Sequence, residues 1–240
     1  MSESSTMRIH KFLAQAGVCS RRDAERLVAE GGVLINGKIA AVGQPVDPTV
    51  DVVRCRGKEI KPVTRNVVLM MNKPRGFLCT NDDSHGGHTV FEMVPPEYKT
   101  IRLFCVGRLD KDSEGLLLLT NDGALANKVM HPSGGVIKRY EVHLNRDYDP
   151  KLTPKLLKGA MEEGERLRFK KVIRHPDSPL QLEVHLDQGR KREIRRLFEI
   201  FGFHVKILRR FQIGSLVLRK MPVGDCRPLS RKEIDDIFIN

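Results

Sequence analysis

The stretch from Leu103 to Gly123 constrains the fold more than any other. Leu103-Phe104-Cys105-Val106 is one short apolar run and Leu116–Leu119 is a second. Between them lies a polar loop that carries Gly107, Arg108, Leu109 and Asp110. Apolar runs this short, bounded by Gly, Asn and Asp, read as buried strands rather than helices. A carboxylate in a strand-to-strand loop is held by rigid neighbours and can be aimed into a cleft. Gly107 permits close backbone approach, and Arg108 suits an anionic partner. By itself the motif also fits an ordinary solvated turn, so the rest of the chain has to decide.

The chain has 240 residues, of which 42 are Lys or Arg and 30 are Asp or Glu, a formal charge of +12. That excess points to a polyanionic partner. The five cysteines, Cys19, Cys55, Cys79, Cys105 and Cys226, are scattered and form no Cys-x-x-Cys pair. This spacing argues for a reducing compartment and against a zinc ribbon or disulfide framework. No run approaches the ~20 apolar residues of a membrane span. The start, MSESSTMRIHK, has no apolar signal core, so a cytoplasmic protein is expected.

The patterning divides the chain in two. Ile9, Phe12, Leu13 and Ala16 recur at helical spacing, and Gly17 closes the segment. Ser20 and Asp23 have the spacing of a helix N-cap, ahead of Ala24, Leu27 and Val28. Val33-Leu34-Ile35 then reads as a strand and Asn36-Gly37 as a tight turn. Two short helices and a small hairpin over residues 8–38, basic on one side, resemble the S4 RNA-binding module. The residues expected to face RNA are Arg8, Lys11, Ser20, Arg21, Arg22 and Lys38, because phosphates favour basic groups and helix N-termini. The expected organisation is an S4-type α/β domain over 7–56, a linker over 57–66 and a second domain over 67–240. In the second domain short apolar runs alternate with helical segments without a clean βαβ repeat. The fold class is therefore α+β, with a mixed, largely antiparallel sheet.

Two further segments carry candidate chemistry. In Gly189–Phe198, basic residues crowd around an apolar stripe made by Ile194, Leu197, Phe198 and Phe201. Arg195 lies about 100° round from Ile194 and is expected to reach inward; Arg192 and Arg196 are expected to lean toward solvent or RNA. In Lys138-Arg139-Tyr140, Tyr140 begins an apolar alternation and is the best-placed phenol for stacking a base in a cleft.

Together with Asn72-Lys73-Pro74-Arg75-Gly76, the loop continuation Ser113–Leu116 and the stretch Leu208-Arg209-Arg210 to Gly214, these motifs resemble bacterial ribosomal-RNA pseudouridine synthases of the RsuA-like family. The resemblance spans nearly the whole chain. It implies that Asp110 is the catalytic aspartate, Tyr140 the residue packed on the target base and Arg195 the partner of the carboxylate. It also implies that Arg108 helps to hold the displaced nucleotide and that Leu208 lies under the base. Asp112 and Glu114 are assigned to turn and surface roles, and Arg192 and Arg196 to RNA binding.

The implied reaction breaks the N1–C1′ bond of uridine, turns the uracil and rejoins it through C5. Nothing is oxidised and no group is lost, so neither cofactor nor metal is expected. His85 and His88 stand three apart in a glycine-rich loop but lack a third ligand nearby. The target nucleotide has to leave its stack. The expected partner is ribosomal RNA or a partly assembled ribosomal subunit, with large-subunit (23S) rRNA favoured over small-subunit (16S), and the enzyme is expected to be a monomer. Whether Asp110 attacks C1′, adds to C6 or abstracts a sugar proton is left open. The alternative is a non-catalytic RNA-binding or ribosome-assembly factor on the same fold; a DNA-binding regulator would leave the second domain unexplained.

Overall fold

The computed structural model describes residues 6–63, 65–81 and 86–239. Two compact units are present. One contains the chain up to Val67 together with Lys99–Leu103 and Asn121–Gly123; the other contains the remainder.

The first unit runs β1 (Met7–Arg8), α1 (Ile9–Gln15), α2 (Arg21–Ala29), β2 (Val33–Ile35), β3 (Lys38–Ile39), β4 (Pro45–Val46), β5 (Val53–Cys55) and β6 (Lys58–Ile60). Helix α2 starts where the sequence places it, because the Ser20 hydroxyl accepts the Asp23 N–H at 3.1 Å. Ile9, Phe12 and Leu13 of α1 pack with Ala24 and Val28 of α2 and with Val33 and Ile35 of β2. The sheet order is β3-β2-β5-β6. Asn36 and Gly37 both have positive φ, 51° and 81°, as a two-residue hairpin turn requires. The same turn recurs at Arg56 and Gly57, with φ 49° and 80°. It returns the chain as β6, antiparallel to β5. Residues 58–60 are therefore sheet and not the linker expected over 57–66. The signal missed was the turn at Arg56-Gly57, since arginine rarely adopts positive φ. Thr64 of that expected linker lies outside the described residues.

The second unit contains β7 (Val68–Lys73), β8 (Phe104–Cys105), β9 (Glu114–Thr120), α3 (Gly123–Met130, its first residue in the other unit), β10 (Lys138–Leu144) and α4 (Thr153–Lys158). There follow β11 (Ala160–Glu162), β12 (Glu165–Leu167), β13 (Lys171–Arg174), β14 (Gln181–Leu186) and α5 (Glu193–Ile200). The chain finishes with β15 (Val205–Ile213), β16 (Leu216–Val217), β17 (Cys226–Pro228) and α6 (Arg231–Asp236). One mixed sheet has the order β13-β14-β10-β15-β9-β7-β17, with β16 added on β15 and β8 on β9. The β9–β15 pairing is parallel; the other ladders are antiparallel. Leu116 to Leu119 of β9 are fully buried, which explains the unbroken leucine run: both faces of this inner strand are covered. Full burial of each such side chain is worth about 1.5–3 kcal/mol.

At the parallel crossing, Arg210 of β15 sits opposite Gly115 of β9. Gly115 has φ +101°, and a Cβ there would overlap the Arg210 carbonyl oxygen. Only glycine lets the two backbones approach this closely. Helix α5 starts at Glu193, later than the basic run suggested, because Arg192 adopts φ 51° and ends the preceding turn.

Candidate active site

A cavity of about 800 Å³ opens between the loop ahead of β9, strands β10 and β15, and the start of α5. Asp110, Arg108, Tyr140, Leu208 and Arg192 all line it. The cavity thus gathers residues that lie almost a hundred positions apart in sequence.

Asp110 owes its position to Lys73, a residue to which sequence reasoning gave no role. Lys73 ends β7 with its side chain wholly buried. Its ammonium donates to the carbonyls of Ser113 at 2.8 Å, Pro74 at 3.0 Å and Asp110 at 3.2 Å, with Lys111 at 3.5 Å. Burial pushes its pKa down, against the fields of Cys79, Asp112 and Asp110. A lysine closing a strand that opens with four apolar residues, Val68 to Met71, was the available signal. The Gly76 N–H donates to the Lys111 carbonyl at 2.7 Å and ties the same loop from its other side.

The arginines divide differently from the helix-phase expectation. Arg195 is 8% exposed and does turn inward. Its ion-pair partner, however, is Asp112 at 3.0 Å, not Asp110. It also donates to the Val205 carbonyl at 2.8 Å and the Asp112 carbonyl at 3.3 Å. Burial pushes the Arg195 pKa down, and the Asp112 charge opposes that push. The cation nearest Asp110 is Arg192, expected to lean outward: its guanidinium lies 3.6 Å from Asp110 and 3.5 Å from Asp112. The physical reason is backbone. Arg192 precedes the helix in a left-handed conformation, so the helical wheel does not apply to it. Asp112, expected to serve turn and surface roles, instead pairs with both arginines.

Arg196 is also corrected. It faces the β11–β12 hairpin, where it pairs with Glu162 at 2.5 Å, Glu165 at 2.9 Å and Glu163 at 3.4 Å. Those carboxylates occupy the donors that RNA phosphates were expected to take. Arg190 reaches the same Glu165 at 3.0 Å.

Tyr140 is 9% exposed and pairs across β15 with Arg210, while Val142, two residues on, pairs with Leu208. Strand alternation therefore puts Tyr140, Leu208 and Arg210 on one face. Arg210 is 4% exposed; its Nε donates to the Leu116 carbonyl at 2.7 Å and its Nη1 contacts the Tyr140 hydroxyl at 3.4 Å. The period of two from Leu208 was enough to find it.

In the first unit, Arg8, Lys11, Arg21, Arg22 and Lys38 are exposed. Ser20 is committed to the fold: its hydroxyl donates to the Asp23 carboxylate at 2.7 Å while it caps α2. Arg8 donates to the Gly43 carbonyl, and Arg21 contacts His10 at 3.2 Å. His85 lies outside the described residues. His88 pairs with Glu92 at 2.9 Å, and among the described residues no His, Cys, Asp and Glu cluster could hold a metal ion. Among the same residues no helix is long and apolar enough to cross a membrane.

Comparison with known proteins gives the same assignment from sequence and from structure. The family model for RNA pseudouridylate synthase matches residues 67–199, and that for the S4 domain matches residues 7–52. An RNA pseudouridine synthase of Aquifex aeolicus is 37% identical over 97% of this chain and 94% of its own length. The dual-specificity RNA pseudouridine synthase RluF of Escherichia coli is 35% identical over 99% of this chain and 80% of its own. The ribosomal large subunit pseudouridine synthase B of Pseudomonas aeruginosa is 39% identical over 95% of this chain but 61% of its own length. A crystal structure of a pseudouridylate synthase superposes with a TM-score of 0.70 at 27% identity, covering 96% of this chain and 99% of that one. With an S4 domain over residues 7–52 and, in the second unit, Asp110 and Tyr140 lining a common cavity, this chain belongs to the RNA pseudouridylate synthase family.

Proposed function

We propose that this enzyme isomerises a specific uridine of ribosomal RNA, in the large subunit in preference to the small, with Asp110 as the catalytic carboxylate. The observation that carries the reading is the joint lining of one cavity by Asp110, Tyr140 and Leu208. The nucleotide turns out of its stack, at a cost of a few kcal/mol that stacking on Tyr140 and phosphate contacts offset. Leu208 supports the base from the sheet, and Arg108, exposed at the cavity rim, holds the nucleotide's backbone. Asp110 acts on the sugar as a carboxylate accompanied by Arg192, while Arg195 keeps the loop in place through Asp112. The reaction moves a bond within one nucleotide, so no external redox partner enters the scheme.

The exposed basic residues Arg8, Lys11, Arg21, Arg22 and Lys38 support docking on rRNA or on a partly assembled subunit by the S4 unit. We place the enzyme in the cytoplasm as a monomer. Mapping pseudouridines in rRNA from cells with and without the protein tests the target: one uridine in 23S rRNA is expected to lose its modification. Asp110→Asn is expected to abolish tritium release from C5-labelled rRNA while binding persists. Turnover by that variant would remove Asp110 from the reaction, and binding without turnover by the unaltered protein would favour an assembly factor.

A further inference from the structure

The inner wall of the cavity carries two cations that the scheme above does not use. Lys138 precedes Tyr140 by two residues on β10, so its side chain leaves the same face of the sheet. Arg210 stands opposite Tyr140 on β15. Both line the cavity. Lys138 donates to the Val129 carbonyl at 3.0 Å, which leaves two of its three N–H groups for other partners. Arg210 is held by the Leu116 carbonyl, and its buried Nη2 has no hydrogen-bond partner. Among the described residues no carboxylate comes within 4.0 Å of either cation.

Two neighbouring cations without an acid are costly in a partly dry cavity unless an anion arrives there. Lys138 registers the cost: burial, and then the charge of Arg210, push its pKa down to about 8, with Asp187 alone opposing. The carboxylates within the cavity are already engaged. Asp110 has Arg192 beside it. Glu193 accepts from the Arg190 N–H and from Gln188.

The chemistry supplies the missing anion. When N1–C1′ breaks, the electron pair stays on uracil and spreads over N1, O2 and O4. The ring then turns about the line through N3 and C6 to bring C5 to C1′. That turn exchanges O2 and O4, so a donor that faces one oxygen before it faces the other afterwards.

Resting on the uridine reading above, we propose that Lys138 is a catalytic residue that stabilises the departing uracil anion and holds it through the turn, with Arg210 strengthening the field behind it. The balance is as follows. On the route through C1′, the Asp110 carboxylate bonds to C1′ as N1 leaves with the electron pair. C5 then bonds to C1′ and releases the carboxylate. The C5 proton is lost to water, and N1 takes up one proton. Lys138 remains charged throughout and transfers nothing.

The charged and titratable groups facing Lys138 are Tyr140 on its own strand, Arg210 on β15 and Asp187 after β14. Across the cavity stand Asp110 and Arg108 ahead of β9, with Arg190, Lys191, Arg192 and Glu193 at the start of α5. From α3 comes the Val129 carbonyl. Of these charges, Arg210 and Asp187 set the Lys138 ammonium's titration near pH 8.

The test is a pH–rate profile under single turnover, at saturating concentration of an rRNA fragment that carries the mapped uridine. Wild type is expected to lose rate above about pH 8. Lys138→Met is expected to slow the chemical step about 100-fold, the loss typical of removing one donor from a developing anion, with RNA affinity changed by less than about threefold. Lys138→Arg is expected to restore most of the rate and to abolish the alkaline limb, because arginine does not titrate there. A packing role for Lys138 would leave that limb unmoved. An alkaline limb unchanged in Lys138→Arg, or a Lys138→Met rate near wild type, overturns the proposal. Wild-type protein that converts no uridine in rRNA at any pH overturns the uridine reading itself, and the proposal with it.

Discussion

Replacing Lys73 by Met tests whether one buried ammonium holds the Asp110 loop. The perturbation keeps the stem's length and apolarity and deletes the charge. Three carbonyls, of Ser113, Pro74 and Asp110, lose a donor at 2.8, 3.0 and 3.2 Å. Hydrogen bonds to a charged group are worth about 1.5–3 kcal/mol each, so the gross loss is about 4.5–9 kcal/mol. Removing a fully buried ammonium recovers several kcal/mol of desolvation in the opposite direction. The net destabilisation is therefore expected near 2–4 kcal/mol, in the range of a broken buried network. At about 2–4 °C per kcal/mol for a chain of this size, the melting temperature falls by about 5–15 °C. Circular-dichroism melts measure that shift. Single-turnover isomerisation, measured well below both melting points, separates loop disorder from unfolding. The rate is expected to fall much further than the folded fraction, because two of the three carbonyls, those of Asp110 and Ser113, lie in the loop that presents Asp110. A melting shift below about 2 °C together with an unchanged rate would refute the reasoning.

Four further outcomes follow from the same geometry. Gly115→Ala is expected to lose about 3–5 kcal/mol, since it combines overlap with the Arg210 carbonyl and strained φ; a melt within a few degrees of wild type would contradict this. Arg196→Ala is expected to lower the melting temperature and leave rRNA affinity nearly unchanged, because its partners are Glu162, Glu163 and Glu165; an affinity loss that shrinks with salt would instead reveal a phosphate contact. Changing Arg21 and Arg22 together to Ala is expected to flatten the salt dependence of rRNA binding by about 1.4–1.8 logarithmic units per decade of salt, as two phosphates would be left unneutralised; an unchanged slope argues against docking through α2. Lys138 gives a signed pH effect. Its folded pKa of about 8 lies below the ordinary lysine value, so the folded form gives up its proton first, and wild-type stability gains as pH rises from about 8 toward 10.5. Lys138→Met lacks this gain, so it is expected to be more stable than wild type at pH 7 and to converge with it in alkali. Parallel stability curves for the two proteins would refute the assignment.

What the sequence made legible, and what it hid, separates along physical lines. Tyr140 could be placed because strand alternation is a local rule, and Asp110 because two apolar runs fix its loop between them; Leu208 came from the family resemblance alone. Arg192, not Arg195, lies beside the Asp110 carboxylate because helix phase governs residues inside a helix, and α5 begins only at Glu193. The burial of Arg195 followed the phase argument, while the position of Arg192 depends on one left-handed backbone angle. Arg196 was assigned to RNA because its glutamates lie on a hairpin more than thirty positions away, beyond any local pattern. Lys73 was hidden for a related reason: what marks it is a set of carbonyls brought together by the folded loop. The β6 strand was missed because an Arg-Gly turn is a weaker signal than the Asn-Gly turn that was recognised.

The insertion of β15 between β10 and β9 has a consequence for how the molecule is made. Synthesis delivers Asp110 and Tyr140 long before Val205–Ile213, yet the loop of the first leads into β9 and the second lies on β10, strands that β15 joins. Until that segment leaves the ribosome, β9 and β10 each present an unsatisfied edge, and the pairing that closes the gap is a long-range parallel one of the slow-forming kind. The nascent polypeptide therefore passes through a stage in which its S4 unit is complete and the cavity lined by Asp110 and Tyr140 lacks a wall. Chains interrupted before Val205–Ile213 would keep the S4 unit and lack the strand that joins β9 to β10.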